Sequence, residues 1–292
     1  MDYLLIGIDQ GRPGFEDFVG SWLCKSQVNI LVDVGPFNTA HKLISSLERE
    51  GVEHIDYVLL THIHIDHAGA LAPLLDRFPT AMAVCHEKGL RYLIEPSRLW
   101  EGSLQVLGDL AVMYGRPEPV EPERLIAHTD FSLKGMQVIE TPGHAPHHLS
   151  FGYEGKIFSG EAAGNYLKVN GREYLRPATP PRFFFHVFME SVDRLLSLPD
   201  QSLCYAHFGE AESSHQLLKR FKEQLIRWEG IIRKEFEQGQ EGLLVRCLEA
   251  LLAEDPELGA FYKMETECQE RERTFIMNAV KGFVGFFNEG KT

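Results

Sequence analysis

The sequence predicts a mixed α/β chain of the α+β kind, in which two β-rich stretches flank a helical middle and a helical extension follows. Three observations predict this class. Short apolar runs separated by turn residues dominate the first third and return between Phe131 and Ser159. His86 to about Tyr114 has helical spacing, interrupted near Pro96, and beyond Glu210 the pattern is helical almost to the end. With 292 residues, 44% of them hydrophobic, the chain can bury a sizeable core. The expected organisation is one large domain over 1–210 and a helical extension over 211–292 that caps it or packs on it.

Leu4 to Ile8, Ser21 to Cys24 and Val28 to Val34 read as strands, the last nearly all apolar as a buried strand is. Asn38 is placed as the N-cap of a helix through Glu50, which Gly51 stops. Ile55 to Leu60 is another buried strand and delivers the chain into Thr61. Gly69 to Arg77 has helical spacing, and Thr80 to Cys85 reads as a strand. Gly115 to Pro122, rich in proline and without a period, is a connector. Met136 to Glu140, His148 to Tyr153 and Lys156 to Ser159 are strands, the last two joined at Glu154-Gly155 by a tight turn. Asn165 to Pro181 is expected to be a loop, given Gly171, Pro177, Pro180 and Pro181. A helix from about Phe183 to Leu198 and a strand from Ser202 to Ala206 follow. In the extension Leu217, Leu218, Phe221, Leu225 and Trp228 share one helical face. Leu243, Leu244, Cys247, Leu248, Leu251 and Leu252 share another.

A formal net charge of −13 disfavours a nucleic-acid partner, because phosphate backbones are held mainly by Lys and Arg. Arg172, Arg176 and Arg182 are close enough in sequence to form a small basic groove, or to be solvated on a loop. Five cysteines, Cys24, Cys85, Cys204, Cys247 and Cys268, are scattered without a C-x-x-C pair, which suits isolated thiols in a reducing compartment. The N-terminus has no basic n-region, and no window reaches the roughly 18 uninterrupted apolar residues of a membrane helix. The expectation is a soluble, cytoplasmic protein that does not enter a membrane.

The run His62-Ile63-His64-Ile65-Asp66-His67 carries the chemistry. At the end of a buried strand, alternate side chains share a face, so His62 and His64 project together. Asp66 and His67 lie where the chain turns into a helix at Ala68-Gly69. Each histidine alone reads as an ordinary surface or hydrogen-bonded core residue. Together, three imidazoles and a carboxylate buried at one strand end are costly without a metal ion to satisfy them.

Thr61-His62-Ile63-His64-Ile65-Asp66-His67-Ala68-Gly69 resembles the H-x-H-x-D-H signature of the metallo-β-lactamase superfamily. Further stretches resemble the rest of that pattern in order: Thr141-Pro142-Gly143-His144, Phe158-Ser159-Gly160-Glu161 and Ala206-His207-Phe208-Gly209. The resemblance implies a four-layer αββα sandwich and a dinuclear metal site. His62, His64 and His144 would hold one divalent ion, and Asp66, His67 and His207 a second, with Glu161 and a water or hydroxide between them. Asp33, Thr61 and His148 are candidates to support the ligands from behind. One position departs from the pattern: the family usually has an aspartate where this chain has Glu161, one methylene longer. Glu161 bridges after a backbone adjustment, binds one ion, or leaves a single site; bridging is the preferred reading.

Two cations in such a site lower the pKa of a bridging water and polarise a carbonyl, and Asp66 is placed to orient the nucleophile and pass a proton to the leaving group. The expected activity is hydrolysis of an ester, thioester or lactone in a small-molecule substrate. Ligation by nitrogen and oxygen suits zinc first, then iron or manganese. The neighbours implied are glyoxalase II-like thioesterases, lactonases and quinolone-signal thioesterases with a helical cap. In such relatives the C-terminal helices roof the cleft; otherwise they pad the sandwich or form a homodimer interface. Phe183, Phe184 and Phe185, with Tyr166 and Tyr174, are candidates to line an apolar acyl pocket. Two other classes stay open: an iron-dependent sulfur (persulfide) dioxygenase using His62, His144 and Glu161, and a non-catalytic regulator that retains metal.

Overall fold

The apolar runs of the first third become strands of one six-stranded sheet, which satisfies backbone groups that short buried segments cannot satisfy alone. The elements, taken from a computed structural model that describes residues 2–181 and 183–289, begin with β1 (Asp2–Gly7), β2 (Gly20–Lys25) and β3 (Ile30–Val32). There follow α1 (Ala40–Arg49), β4 (Tyr57–Leu59), the short α2 (Ile65–Ala68), α3 (Leu71–Arg77), β5 (Met82–Cys85), α4 (Glu87–Ile94), α5 (Ser97–Leu107), α6 (Asp109–Tyr114) and β6 (Leu125–Ala127). The strands lie in sequence order, antiparallel from β1 to β3 and parallel from β3 to β6. Ile30, Leu31, Val58 and Leu59 are wholly buried, as parallel strands covered on both faces require. Val32 pairs with Leu59, so β3 and β4 end side by side, and Asp33 and Thr61 emerge together from the carboxyl ends of parallel strands.

The chain divides into two compact units. The first runs to Glu140 and takes up His147–Glu154, and so also holds β7 (Met136–Glu140) paired antiparallel with β8 (Leu149–Tyr153). The second comprises Thr141–Pro146 and the chain from Gly155 onward. It contains β9 (Lys156–Gly160), β10 (Asn165–Val169), β11 (Arg172–Arg176), α7 (Phe185–Leu196), β12 (Ser202–Tyr205), β13 (Glu210–Ala211), α8 (Ser214–Glu237), α9 (Leu243–Glu254) and α10 (Thr266–Glu289). In this unit β12 runs parallel to β9 and antiparallel to β13.

Two local expectations are corrected. The stretch expected as a loop from Asn165 begins as the antiparallel hairpin β10–β11, turning at Asn170-Gly171 with φ of +50° and +76°. Asn38 does not cap α1: it lies in a 3₁₀ turn, Phe37–Thr39, and its amide donates to the carbonyl of Met113 at 3.0 Å.

The extension buries the faces its periodicity indicated. Leu217, Leu218, Phe221, Leu225 and Trp228 of α8 are buried, and so are Leu243, Cys247, Leu248 and Leu251 of α9, while Leu244 and Leu252 are half-buried. The buried carboxylate of Asp255 ties α8 to the turn after α9, accepting from Gln224 (2.7 Å), Trp228 (2.7 Å) and Arg227 (2.8 Å). Phe283 of α10 packs on Phe183 at 4.8 Å between ring centroids.

That packing answers two further expectations. Phe183, Tyr166 and Tyr174 are core residues and do not line an open pocket, while Phe184 is exposed and Phe185 half-buried. Arg176 is buried against Glu272 and cannot serve a basic groove. Arg182 lies outside the described residues, as do Met1 and 290–292 of the expected spans 1–210 and 211–292. No disulfide forms among the described residues; four of the five cysteines are buried, and burial pushes the Cys85 thiol up to about 12. Among the described residues, no helix is long and apolar enough to cross a membrane.

Candidate metal centre

In the first unit the centre is built on the carboxylate of Asp33. Its residue sits just past β3 at a φ of +55°, a left-handed conformation that Asp tolerates better than most side chains. Its amide donates to Leu59 at 2.9 Å, and Ser21 Oγ donates to its carbonyl at 2.6 Å, so the backbone is clamped on both sides. The carboxylate then accepts three bonds: from the Thr61 amide (2.8 Å), the Thr61 hydroxyl (2.7 Å) and His67 Nδ1 (3.0 Å). Thr61 Oγ1 lies 3.1 Å from His62 Nδ1. One buried acid thereby orients two ligand-type histidines.

The histidine run gathers as its spacing indicated. The ring of His62 lies 4.5 Å from that of His64 and 4.1 Å from that of His67. His148, wholly buried, stands 5.1 Å from His62. His147 lies 6.4 Å from His62 and 5.9 Å from His64; sequence reasoning passed over it, though the His147-His148 doublet was visible. Asp66 and His67 are in the first turn opened by α2, with His67 Nε2 3.7 Å from Asp66 Oδ2.

In the second unit His144 stands on a turn whose glycine is obligatory. Gly143 has a φ of +140°, and a Cβ there would lie 2.7 Å from the backbone of Phe188 in α7. Ser191 of the same helix donates to the carbonyl of Pro142 at 2.6 Å. His144 Nδ1 meets the carbonyl of Ala178 at 2.8 Å, and its Nε2 lies 2.7 Å from Glu161 Oε2. The other oxygen of Glu161 is 3.7 Å from His207 Nε2. All three side chains are buried.

The donor chemistry fits a divalent ion. A carbonyl can only accept, so His144 Nδ1 carries a proton, and Nε2, facing a carboxylate oxygen at 2.7 Å, is the atom left to meet a cation or a second proton. His67 repeats the arrangement, its Nδ1 given to Asp33 and its Nε2 facing Asp66. Two acceptors at such separations repel unless a cation or proton lies with them, and imidazoles backed by a carboxylate or carbonyl are the usual form of metal-ligating histidine. Within each unit the ligand atoms of these pairs fall within 4.8 Å of one another.

His86, His128 and Glu140, in the first unit, also lie within that distance, but their tautomers point elsewhere. His86 Nδ1 accepts from the Lys88 amide at 3.0 Å and His128 Nδ1 from the Glu87 amide at 3.3 Å, which leaves the protons on both Nε2 atoms. His128 hydrogen-bonds Glu140 at 3.2 Å while His86 faces it at 3.9 Å, and the two imidazoles accept from the first amides of α4 as its cap.

Two outcomes follow from these geometries. Asp33→Asn, which has one acceptor oxygen and cannot keep all three bonds from Thr61 and His67, is expected to weaken metal retention roughly 10- to 100-fold, measured by chelator competition, with the chain still folded. Burial, and then the charge of His128, hold His86 below the usual imidazole range, although Glu140 opposes them. The unfolded chain therefore takes up that proton first, and stability falls as pH drops below about 6.5. His86→Asn, which keeps a cap acceptor without titrating, is expected to flatten this fall in Tm between pH 7.5 and 5.5; an unchanged slope would assign it to other groups.

Comparison with known proteins agrees with fold and motifs. The sequence model of the metallo-beta-lactamase superfamily matches residues 21–207, more than half of the chain. The metallo-beta-lactamase fold-containing protein ST1585 of Sulfurisphaera tokodaii is 33% identical over 197 residues, covering 64% of this chain and 71% of its own. The crystal structure of ST1585 superposes with a TM-score of 0.72 and 25% identity over 97% of this chain and 98% of that one. A hydroxyacylglutathione hydrolase of Xanthomonas campestris is 27% identical over 202 residues, 67% of this chain and 62% of its own length. TTHA1623, solved in a di-iron-bound form, matches with a TM-score of 0.52 and 26% identity over 75% of this chain and 98% of its own. The mixed α/β architecture, the order of the motifs and these likenesses agree: the chain belongs to the metallo-β-lactamase superfamily.

Proposed function

We propose that the chain is a dinuclear-metal hydrolase acting on a thioester of a small molecule, with esters and lactones as related substrates. The observation that carries this reading is the pair of buried imidazoles, His67 and His144, each anchored through Nδ1 and each turning Nε2 to a carboxylate. By the resemblance to the superfamily pattern, His62, His64 and His144 would hold one ion and Asp66, His67 and His207 the other, with Glu161 shared. Bound there, two divalent ions would supply Lewis acidity and a water acidified toward neutrality. Zinc is the first expectation, with iron supported by the di-iron form of TTHA1623. Thioester chemistry is favoured by the likeness to hydroxyacylglutathione hydrolase.

The chain's own groups have separable roles. Asp33 keeps the proton of His67 on Nδ1, so that Nε2 stays available as a ligand atom. The Ala178 carbonyl does the same for His144. Asp66, partly exposed, can accept a proton from the nucleophile and return it to the departing thiolate. The burial of His62, His67 and His207 keeps the ligand shell dry, which strengthens every charge interaction in it.

The test is elemental analysis of protein purified without added metal, together with turnover of thioesters, lactones and aryl esters. About two ions per chain and thioester turnover are expected, with kcat lowered at least roughly 100-fold in Asp66→Ala. About one iron per chain, no hydrolysis, and oxygen uptake with a persulfide would replace this reading with the dioxygenase.

A further inference from the structure

Glu161 carries one torsion more than the aspartate it replaces, and a carboxylate on a longer stem needs something to fix its rotation. Behind it lies a chain of buried polar groups within the second unit. Asn165, the first residue of β10, is buried between Glu161 and Arg176, and its amide is assigned the orientation that satisfies both neighbours, with the nitrogen donating to Glu161 Oε1 at 3.2 Å. The oxygen of the same amide accepts from Arg176 Nη2 at 3.3 Å. Arg176 is the cross-strand partner of Asn165 at the end of β11 and is also buried. Its Nε donates to Glu272 of α10, and its guanidinium lies 5.0 Å from the ring of Phe275 on the same helix. Glu272 accepts a further bond from Arg271 at 2.9 Å.

Charge alternates along this series, carboxylate and guanidinium in turn with the Asn165 amide between the first two. Burial opposes the charge of Arg176, but the carboxylate of Glu272 beside it more than offsets this, so the guanidinium stays cationic. Burial likewise opposes the charge of Glu272, and Arg176 and Arg271 overcome it. A permanent cation thus polarises the Asn165 amide, whose N–H becomes the stronger donor to Glu161.

Glu161 Oε1 is the oxygen so held, and Oε2 is the one turned to His144. The same helix also fixes His144 from behind. Thr179 donates to the Ala279 carbonyl at 2.8 Å, and a Cβ on Gly282 would stand 2.5 Å from the Pro180 carbonyl, so the loop bearing Ala178 lies directly on α10.

We propose that Asn165 and Arg176, braced by Glu272, are positioning residues that set the rotation of the Glu161 carboxylate and so allow a glutamate to serve where the family uses an aspartate. Arg176 and Asn165 are both buried, and each acts through Glu161. The inference rests on the dinuclear reading of the preceding subsection and deepens it. It also explains why the C-terminal extension packs where it does, since α10 holds two prospective ligands in register.

The experiment is a double-mutant cycle between Asn165→Ala and Glu161→Asp, read by chelator competition for zinc and by the visible spectrum of the cobalt-loaded protein, with the Tm of the metal-free protein as the fold control. In the wild-type background Asn165→Ala is expected to weaken the less tightly held ion roughly 10- to 100-fold and shift the cobalt spectrum. In the Glu161→Asp background, whose shorter side chain Asn165 cannot reach, it should change neither. Asn165→Leu, which keeps the side-chain bulk and removes both bonds, should reproduce the effect if the alanine variant is unstable. A wild-type protein that holds two ions, with Asn165 variants equal to it in affinity and spectrum, overturns the relay alone. So does an equal loss in both backgrounds, the mark of a purely structural residue. A wild-type protein that holds no metal overturns the relay together with the reading on which it rests.

Discussion

A buried imidazole whose Nδ1 is already committed to a fixed acceptor has its Nε2 left for the neighbouring carboxylate, to be shared with it through a cation or a proton. His67 and His144 both meet that condition, the first through Asp33 and the second through the Ala178 carbonyl. Asp33 in turn depends on β3 and β4 ending in register, and Ala178 on the loop pressed against α10. Packing far from any ligand is in this way converted into the tautomer of two side chains, and tautomer decides whether a histidine is a donor or a ligand. The trio His86, His128 and Glu140 shows the opposite outcome from similar residue types. There the backbone supplies donors to Nδ1, and the metal-binding face of each imidazole is occupied by its own proton.

The arrangement also accounts for residues that have no chemical role of their own. Gly143 is needed because Phe188 of α7 lies where any side chain would go. Ser191 fixes the same turn through the Pro142 carbonyl. Asp255, remote from the ligands, ties the face of α8 to the turn after α9. Thr179 and Gly282 likewise press the loop that bears Ala178 against α10, so this part of the helical extension backs the partner of His144.

Much of this was legible in the sequence because the chemistry is concentrated. Six consecutive residues hold four ligand-type side chains, and the apolar strands before Asp33 and Thr61 announce their own burial. The helical faces of α8 and α9 were equally plain from spacing. The hairpin β10–β11 was missed because the prolines and glycines around it suggested a loop, although Asn170-Gly171 between Tyr166, Leu167 and Val169 on one side and Tyr174 and Leu175 on the other is a strong hairpin signal. Arg176 was misread for a different reason. Its partner Glu272 is 96 residues away, and no local pattern distinguishes a buried pair from two solvated charges. The same distance hid the Asn165 amide, whose meaning appears only when Glu161, Arg176 and α10 are seen together.

The most direct test is a crystal structure of metal-loaded protein with anomalous data collected at the zinc and iron absorption edges. The account predicts two peaks per chain about 3.5 to 4 Å apart, with Glu161 turning one oxygen to each and Asn165 still bonded to its carboxylate. A single peak, or two peaks with Glu161 outside bonding distance of either, would contradict it.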